Sequence, residues 1–265
     1  MALLSSMQRE QFQENGYVLG PRILSAAAVD GLCEALTRVL ASRGDARARQ
    51  PTSIANLARG DAQPIWQVVN IWLASDSFRE LAFMPELAEA AGQLLEAQEI
   101  RVWHDQIQYK LAAGGGGNPW HQDWPYWPIL SEPHQVTAWV ALDDAAEDNG
   151  CMSMVPGSHR WGKQIDALHA MKDFDDLPAE CEGHAVERVL CPVPTGAVHF
   201  HHGLTWHGSH ANTSTRPRRA IAIHFMGERT CYNAAGDNHL CRKLIGGIAD
   251  GEKLQGDSFP LVWRA

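Results

Sequence analysis

The stretch EIRVWHDQIQYKL, residues 99–111, marks the point where the chain changes from helix-like to strand-like sequence. Short runs rich in β-branched and aromatic residues follow it, separated by Gly, Pro and Asn-Asp segments of the kind that end strands. These runs are QVTAWVALDD (135–144), CMSMVPG (151–157), ERVLCPV (187–193), GAVHFHHG (196–203) and RAIAIHFM (219–226). Helices followed by strands predict an α+β chain with a mainly β core, folded as a barrel or jelly roll.

The sequence before this point favours helices. Ser5 or Ser6 precedes MQREQFQENG, and Gly16 is a typical C-terminal stop for that segment. Ser25 is a candidate N-cap for AAAVDGLCEALTRVLAS, in which apolar residues recur at helical spacing. The segment FRELAFMPELAEAAGQLLEA contains Pro85, which more often starts a helix than lies inside one.

We expect a single domain. The 265 residues, of which 45% are hydrophobic and 20% charged, suffice to bury a substantial core. The expected parts are a mostly helical segment at 1–98, a jelly-roll core at 99–230 and a C-terminal extension at 231–265.

Two connecting segments predict a loop and a turn. Residues 43–64 are polar and punctuated by Gly and Pro, which predicts a long loop. Asp148-Asn149-Gly150 lies between two strand candidates and predicts a hairpin, because Asn-Gly readily adopts positive φ. The flanking strands are therefore expected to pair with each other in antiparallel fashion.

Composition limits the partners. A formal charge of −9 disfavours nucleic acids and anionic membranes as partners. No run approaches the roughly 18 apolar residues of a membrane helix and no signal peptide is evident, which predicts a cytoplasmic protein. The six cysteines lack a CxxC pair and are expected to be reduced thiols. The sequence does not indicate the oligomeric state.

The segment Trp120-His121-Gln122-Asp123 contains two potential metal ligands. On an extended segment residues i and i+2 point to the same side, so His121 and Asp123 could share one metal ion. A distant histidine could complete a facial triad that leaves positions open for a cosubstrate and oxygen. Composition does not choose that histidine, because six histidines lie between positions 199 and 224.

Arg218 favours His207 as the third ligand. It lies eleven residues further on, at the start of the strand candidate RRAIAIHF, and offers a planar fork for the far carboxylate of a dicarboxylate cosubstrate. Arg219 is its rival, since neighbouring strand residues face opposite sides and only one can point inward. A solvated basic edge is the alternative interpretation of both.

Taken together, these segments resemble the phytanoyl-CoA dioxygenase family of iron(II)/2-oxoglutarate-dependent oxygenases. The resemblance spans nearly the whole chain, through NGYVLGPRILSAAAVDGL, HDQIQYKLAAGGGGNPWHQDWPYWP, VTAWVALDDAAEDNGCMSMVPGSHRWG and TGAVHFHHGLTWHGSHANTSTRPRRA. It implies a double-stranded β-helix, a cupin-like jelly roll with N-terminal and flanking helices. This fold agrees with the change of sequence character at residue 99.

The resemblance implies oxidative chemistry at iron. It makes His121, Asp123 and His207 the catalytic iron(II) ligands and Arg218 the anchor for the distal carboxylate of 2-oxoglutarate. Asp123 argues against halogenation, since related halogenases carry a small residue at that position. The implied dioxygenase reaction consumes O2 and 2-oxoglutarate, releases succinate and CO2, and oxidises a C–H bond by hydroxylation, desaturation or ring closure.

Further side chains are expected around this centre. At the cosubstrate the resemblance implies Trp139 and Gln106, with Gln108 on the same face as Gln106, and Ser209 near the carboxylate.

Trp124, Tyr126 and Trp127 follow the His-x-Asp pair at the implied pocket mouth and are candidate substrate contacts, with core or lid packing as the alternative. Their aromatic faces favour a secondary-metabolite or sugar-containing intermediate over a coenzyme A thioester.

Two other functions stay open at this stage. A cupin-like metalloenzyme could use a divalent ion as a Lewis acid for isomerisation or hydrolysis, although Arg218 would then have no role. A carbohydrate-binding jelly-roll module could use the tryptophans as a stacking platform, although the spacing of the three ligands would then be coincidence.

Overall fold

The structure is a computed structural model that describes residues 2–58, 64–114, 116–171, 173–236 and 239–265. The helices are α1 (Ser6–Asn15), α2 (Ala26–Ala41), α3 (Asp76–Ala82), α4 (Pro85–Leu95) and α5 (Ile165–His169). The strands are β1 (Tyr17–Arg22), β2 (Ser53–Asn56), β3 (Ile65–Val69), β4 (Glu99–Lys110), β5 (Asn118–His121), β6 (Gln135–Ala141), β7 (Met152–Met154), β8 (Glu180–Cys181), β9 (His184–Ala185), β10 (Val189–Cys191), β11 (Ala197–His202), β12 (His207–Ser209), β13 (Arg218–Gly227) and β14 (Leu261–Arg264). Short 3₁₀ turns span Ile71–Leu73, Trp124–Tyr126, Glu147–Asn149, Ser158–Arg160 and Leu240–Leu244.

Side chains at the helix ends explain where the helices begin and stop. The Ser5 hydroxyl accepts a hydrogen bond from the Gln8 amide while the Gln8 side chain accepts one from the Ser5 amide, which forms a capping box at α1. Gly16, at φ +79°, ends that helix. Ser25 caps α2, and Pro85 occupies the first turn of α4. These features confirm the helix predictions.

Two antiparallel sheets form the core. The larger sheet has the strand order β1-β11-β6-β13-β4-β3-β2, with β14 also paired to β4, and the smaller has the order β10-β7-β12-β5. Buried apolar residues of both sheets pack in one cluster: Trp139, Ala141, Ala220 and Ala222 from the larger sheet, and Met152, Met154 and Cys191 from the smaller. The predicted jelly roll, a double-stranded β-helix with flanking helices, is confirmed.

The larger sheet is buried on both faces, and strand β13 shows how its sequence serves them. Ile221, Ile223 and Phe225 belong to the apolar core that contains the helices. Arg218 and His224, in the alternate positions, line a cavity on the other face. Because side chains alternate along a strand, one sheet can support an apolar helical layer and a polar interior at once.

Strands also occur outside residues 99–230. Strands β1, β2 and β3 join the larger sheet from the first 98 residues, and β14 joins it from the C-terminal extension. The prediction of a continuous loop over residues 43–64 was wrong, because β2 extends the sheet by pairing with β3. This pairing uses backbone groups, which a polar sequence does not reveal; residues 59–63 of that segment lie outside the described residues.

The hairpin predicted at Asn149-Gly150 was also wrong. The turn exists as the 3₁₀ segment Glu147–Asn149, followed by Gly150 at φ +79°. The strands on either side do not pair, because β6 lies in the larger sheet and β7 in the smaller one. The Asn149 side chain instead bonds the Ala146 amide and the Asp144 carbonyl, so the turn carries the chain from one sheet to the other.

Two expectations from composition can be compared with the structure. All six cysteines are free thiols, as predicted. Within the described ranges, no helix is both long and apolar enough to cross a membrane.

We expect Gly150→Ala to lower the free energy of unfolding by about 2 kcal/mol or more, because a side chain disfavours left-handed backbone and would also collide with a neighbour. A Cβ at this position would lie 2.5 Å from the His210 carbonyl oxygen. Gly31→Ala is the matched control: Gly31 lies inside α2 with nothing within 4 Å of its added Cβ, so a gain of about 0.5–1 kcal/mol is expected. Urea unfolding measures both, and equal stability of the two variants would contradict the role of the turn.

Candidate metal centre and substrate cavity

The candidate ligands meet where two short strands of the smaller sheet pair. His121 ends β5 and lies directly opposite His207, the first residue of β12. The ligand atoms of His121, Asp123 and His207 all lie within 4.8 Å of one another. Over the residues that the structure describes, no other group of three or more His, Cys, Asp or Glu side chains is placed in this way.

Asp123 reaches this group through a turn. Its backbone is helical, at φ −72° and ψ −50°, and it starts the 3₁₀ turn Trp124–Tyr126. The expectation that strand alternation would align His121 with Asp123 was therefore wrong, because the extended segment ends at His121. The Trp124 amide donates to the Gly203 carbonyl at 2.8 Å, which attaches the turn to the end of β11.

Backbone carbonyls orient both imidazoles. His121 Nδ1 lies 2.8 Å from the Pro119 carbonyl oxygen, and His207 Nδ1 lies 2.9 Å from that of Thr205. A carbonyl only accepts, so each Nδ1 carries a proton, and Nε2 is the nitrogen left to ligate a metal ion. The two Nε2 atoms lie 3.6 Å and 3.5 Å from Oδ1 of Asp123. Two imidazole lone pairs and one carboxylate oxygen fit a divalent metal such as iron(II).

The second carboxylate oxygen of Asp123 is held by the protein. The Thr137 hydroxyl donates to Oδ2 at 3.0 Å, and His201 Nε2 lies 3.2 Å from the same atom. Burial by itself raises the pKa of Asp123, but the proximity of His207 and the hydrogen bonds from His201 and His207 hold that pKa well below its ordinary value. The carboxylate is therefore ionised, with Oδ1 facing the two candidate histidine ligands.

The other histidines of the His-rich segment do not belong to the candidate ligand group. His199 and His201 lie buried on β11, and burial lowers the pKa of each imidazole. His202 accepts a hydrogen bond from the Leu204 amide through Nδ1. His207, which lies opposite His121, was predicted from its spacing to Arg218, because the abundance of histidine in this segment does not choose one.

Arg218 and Arg219 face opposite sides of β13. Arg219 donates to both carboxylate oxygens of Asp143, at 2.8 Å and 2.7 Å. Arg218 is 1% exposed and lies over the Trp139 ring, and its Nε and Nη1 atoms have no hydrogen-bond partner. Burial lowers the pKa of Arg218 to about 10, so the guanidinium stays charged near neutral pH. Of the two rivals, Arg218 faces the cavity next to the candidate ligands.

An inner cavity brings the candidate metal ligands and all five predicted cosubstrate residues together. Its lining residues are Gln106, Gln108, Asn118, His121, Asp123, Trp139, Met152, His201, His207, Gly208, Ser209, Arg218, Ala222 and His224. The inner faces of β4, β6 and β13 supply one wall, and the smaller sheet supplies the other.

Lys110 is a second buried basic residue, and no local sequence signal marked it. It ends β4 with 0% exposure, and its Nζ donates to the Ser209 hydroxyl and to the His210 carbonyl, both at 2.7 Å. Burial and the neighbouring Arg218 lower the pKa of Lys110 well below its ordinary value. Lysine at a strand end is normally solvated, so only the register that pairs Lys110 with Arg218 reveals its position.

An outer cavity of about 370 Å³ adjoins the inner one. Its lining residues are Leu57, Gln67, Val69, His104, Gln106, Gln108, Asn118, Pro119, His121, Asp123, Tyr126, Trp127, His224, His239 and Leu240. Tyr126 and Trp127, predicted as substrate contacts, lie here. Trp124 does not line the cavity and packs against the apolar cluster that contains Trp127. His104, His224 and His239 also line this cavity, and no sequence motif marked them as substrate contacts.

A jelly roll that places a His-Asp-His group beside a buried, unpartnered arginine defines the class of iron(II)/2-oxoglutarate-dependent oxygenases. Residues 12–220 match the family model for phytanoyl-CoA dioxygenase (PhyH), and the chain belongs to this family. It is an enzyme of the iron(II)/2-oxoglutarate-dependent dioxygenase type, with iron, 2-oxoglutarate and O2 as its cofactor and cosubstrates.

Three similar proteins illustrate the family. A probable alpha-ketoglutarate-dependent hypophosphite dioxygenase of Stutzerimonas stutzeri is 27% identical over 82% of this chain and 76% of its own length. The alpha-ketoglutarate-dependent carbocyclase SnoK from nogalamycin biosynthesis is 30% identical, with a TM-score of 0.80 over 98% of this chain and 97% of SnoK. The epimerase SnoN, solved with Fe3+, alpha-ketoglutarate and nogalamycin RO, is 27% identical, with a TM-score of 0.77 over 97% of this chain and 98% of SnoN.

We expect Thr137→Val to weaken iron(II) binding about tenfold or more, because the variant loses the hydroxyl that orients the Asp123 carboxylate. Anaerobic titration calorimetry with iron(II) measures the affinity. Thr195→Val is the matched control, since Thr195 bonds Asp144 at the surface and should leave the affinity unchanged. Equal iron affinity in the Thr137 variant and the wild type would contradict this role.

Proposed function

We propose that His121, Asp123 and His207 hold iron(II), that Arg218 anchors 2-oxoglutarate, and that the enzyme oxidises a C–H bond of a small natural-product intermediate. The observation that carries this proposal is the buried Arg218 guanidinium, which has two nitrogen atoms without a partner at the wall of the inner cavity. Because an unpaired buried charge is costly, a carboxylate ligand is the partner that this group needs.

Each side chain then has a physical task. When bound, iron and 2-oxoglutarate supply the oxidation, in which O2 is reduced, 2-oxoglutarate loses CO2 to become succinate, and the substrate C–H bond is oxidised. Arg218 receives the distal carboxylate, and the Ser209 hydroxyl held by Lys110 lies on the same cavity wall. Trp139 packs beneath the guanidinium and restricts its orientation.

The substrate proposal rests on the similarity to SnoK and SnoN, two proteins from nogalamycin biosynthesis. The outer cavity supports a ring-shaped small molecule, since its volume and the aromatic faces of Tyr126 and Trp127 suit one. Hydroxylation, ring closure and epimerisation each begin with removal of a hydrogen atom from a substrate carbon, so the same centre can serve any of them. A Lewis-acid or carbohydrate-binding role would leave Arg218 buried without a carboxylate.

We expect the purified wild-type protein to form succinate from 2-oxoglutarate in air when iron(II) is present, even without substrate. Asp123→Ala should abolish succinate formation, because iron loses its carboxylate ligand. Arg218→Ala should raise the KM for 2-oxoglutarate by about a hundredfold, since a desolvated bidentate contact is worth about 3 kcal/mol. Succinate is quantified by chromatography.

Arg219→Ala is the matched control for Arg218→Ala. Arg219 is bonded to Asp143 on the opposite face of β13, so its loss should leave the KM for 2-oxoglutarate unchanged. A wild-type protein that neither forms succinate nor binds 2-oxoglutarate in calorimetry would refute the proposed function. Equal effects of the two arginine variants would refute the role of Arg218 alone.

We expect Lys110→Met to weaken 2-oxoglutarate binding about tenfold, because the Ser209 hydroxyl on the wall of the inner cavity loses its buried donor. Methionine fills a similar volume, so the fold should persist. Calorimetry with 2-oxoglutarate measures the change, and iron(II) affinity should stay at the wild-type level. Unchanged 2-oxoglutarate affinity would make Lys110 a purely structural residue.

A further inference from the structure

Three histidines form one wall of the outer cavity. His104 and His224 lie directly opposite each other on the paired strands β4 and β13, with ring centroids 4.4 Å apart. His239 follows in the C-terminal segment, with its ring centroid 6.0 Å from that of His104. All three line the cavity, and none belongs to the candidate metal group.

His104 presents a buried hydrogen-bond acceptor. Its Nδ1 lies 3.3 Å from the Asp105 carbonyl oxygen, which can only accept, so Nδ1 carries the proton and Nε2 carries a lone pair. His104 is 3% exposed, and its Nε2 has no partner in the protein. A buried acceptor of this kind needs a donor, and the adjoining cavity is where a bound molecule can provide one.

His224 presents a second acceptor. The Thr137 hydroxyl gives its proton to Oδ2 of Asp123, so its oxygen must accept from His224 Nδ1, which lies 2.7 Å away. The remaining nitrogen of His224, Nε2, therefore carries a lone pair. The carboxylate of Asp123 thus fixes the tautomer of His224 through one hydroxyl group.

His239 presents a hydrogen-bond donor to the cavity, whereas His104 and His224 present acceptors. Its Nδ1 accepts a hydrogen bond from the Cys241 amide at 3.2 Å, so this nitrogen is unprotonated. Burial lowers the pKa of His239 to about 4, which keeps the ring neutral and leaves the proton on Nε2. Nε2 of His239 is therefore a donor, beside the acceptor of His104.

The mouth of the outer cavity is apolar. Leu57, Tyr126 and Leu240 are 45%, 47% and 40% exposed, which is unusual for large hydrophobic residues, and all three line this cavity. The polar residues further in are amides and imidazoles. Within the described part of the lining, Asp123 is the one carboxylate, and it belongs to the candidate metal group.

We propose that this histidine wall selects a neutral, ring-shaped substrate with at least two hydroxyl groups and a further oxygen atom. The two hydroxyl groups donate to Nε2 of His104 and to Nε2 of His224. The further oxygen accepts from Nε2 of His239. The apolar rings or chain of that substrate would then lie against Leu57, Tyr126 and Leu240. This inference rests on the proposed function, because it assigns the substrate class of the same site.

The test compares two probes that differ only in their hydrogen-bond donors, 1,3-dihydroxynaphthalene and its dimethyl ether, 1,3-dimethoxynaphthalene. Each is titrated by calorimetry into the enzyme loaded with iron(II) and 2-oxoglutarate without oxygen. We expect the diol to bind at least tenfold more tightly than the ether, since the ether leaves both acceptors unsatisfied.

His104→Phe should remove most of this preference, because phenylalanine keeps the size of the ring and loses the acceptor. His104→Gln should restore part of it through its amide oxygen. His184→Asn, an exposed residue outside the cavity, should behave as the wild type. Binding of 2-oxoglutarate to every variant verifies the fold and the metal centre.

The outcomes separate the two proposals. A wild-type protein that does not bind 2-oxoglutarate would overturn the proposed function. With 2-oxoglutarate binding intact, equal affinity for diol and ether, binding of neither probe, or an unchanged preference in His104→Phe would each overturn the substrate assignment alone. A diol preference that disappears in His104→Phe and returns in His104→Gln supports it.

Discussion

The alternation of side chains along β13, in a sheet that is buried on both faces, constrains the rest of the structure. A shift of one residue would place the Arg218 guanidinium in the apolar layer beneath the helices and Ile221 in the polar cavity. In the apolar layer no anionic ligand could reach the guanidinium, so its burial, which costs several kcal/mol without a partner, could not be offset by binding. The outward ion pair of Arg219 with Asp143 fixes the same register from the other side.

Within this register the protein leaves some charge for its ligands to balance. Asp123 is stabilised by hydrogen bonds from Thr137 and His201, whereas Arg218 has no carboxylate partner and Lys110 bonds only neutral oxygens. The inner cavity therefore combines an anionic corner that suits a cation with a cationic end that suits a carboxylate. An arrangement of this kind lowers stability in exchange for function, as sites that await charged ligands commonly do.

Local sequence signals predicted the helices and the His121–Asp123 pair, since capping residues and a His-x-Asp pair act over a few positions, whereas His207 followed from its spacing to Arg218 and from the family resemblance. The signals failed where distant pairing decides the structure. The Asn149-Gly150 turn joins two sheets where a hairpin was expected, and only the register of β4 against β13 brings Lys110 beside Arg218. His104 was missed for the same reason, because its role depends on which strand lies opposite.

The two cavities differ in electrostatic character, and this difference can direct each ligand to its place. A net charge of −9 gives the molecule as a whole no attraction for a dicarboxylate, so local cations must supply it. The Arg218 guanidinium lines the inner cavity, whereas the outer wall consists of imidazoles whose tautomers are fixed by Asp105, Thr137 and Cys241. An anion is therefore stabilised only at the inner end. A neutral hydroxylated molecule has no competitor for the outer acceptors, so cosubstrate and substrate can be selected independently although their cavities adjoin.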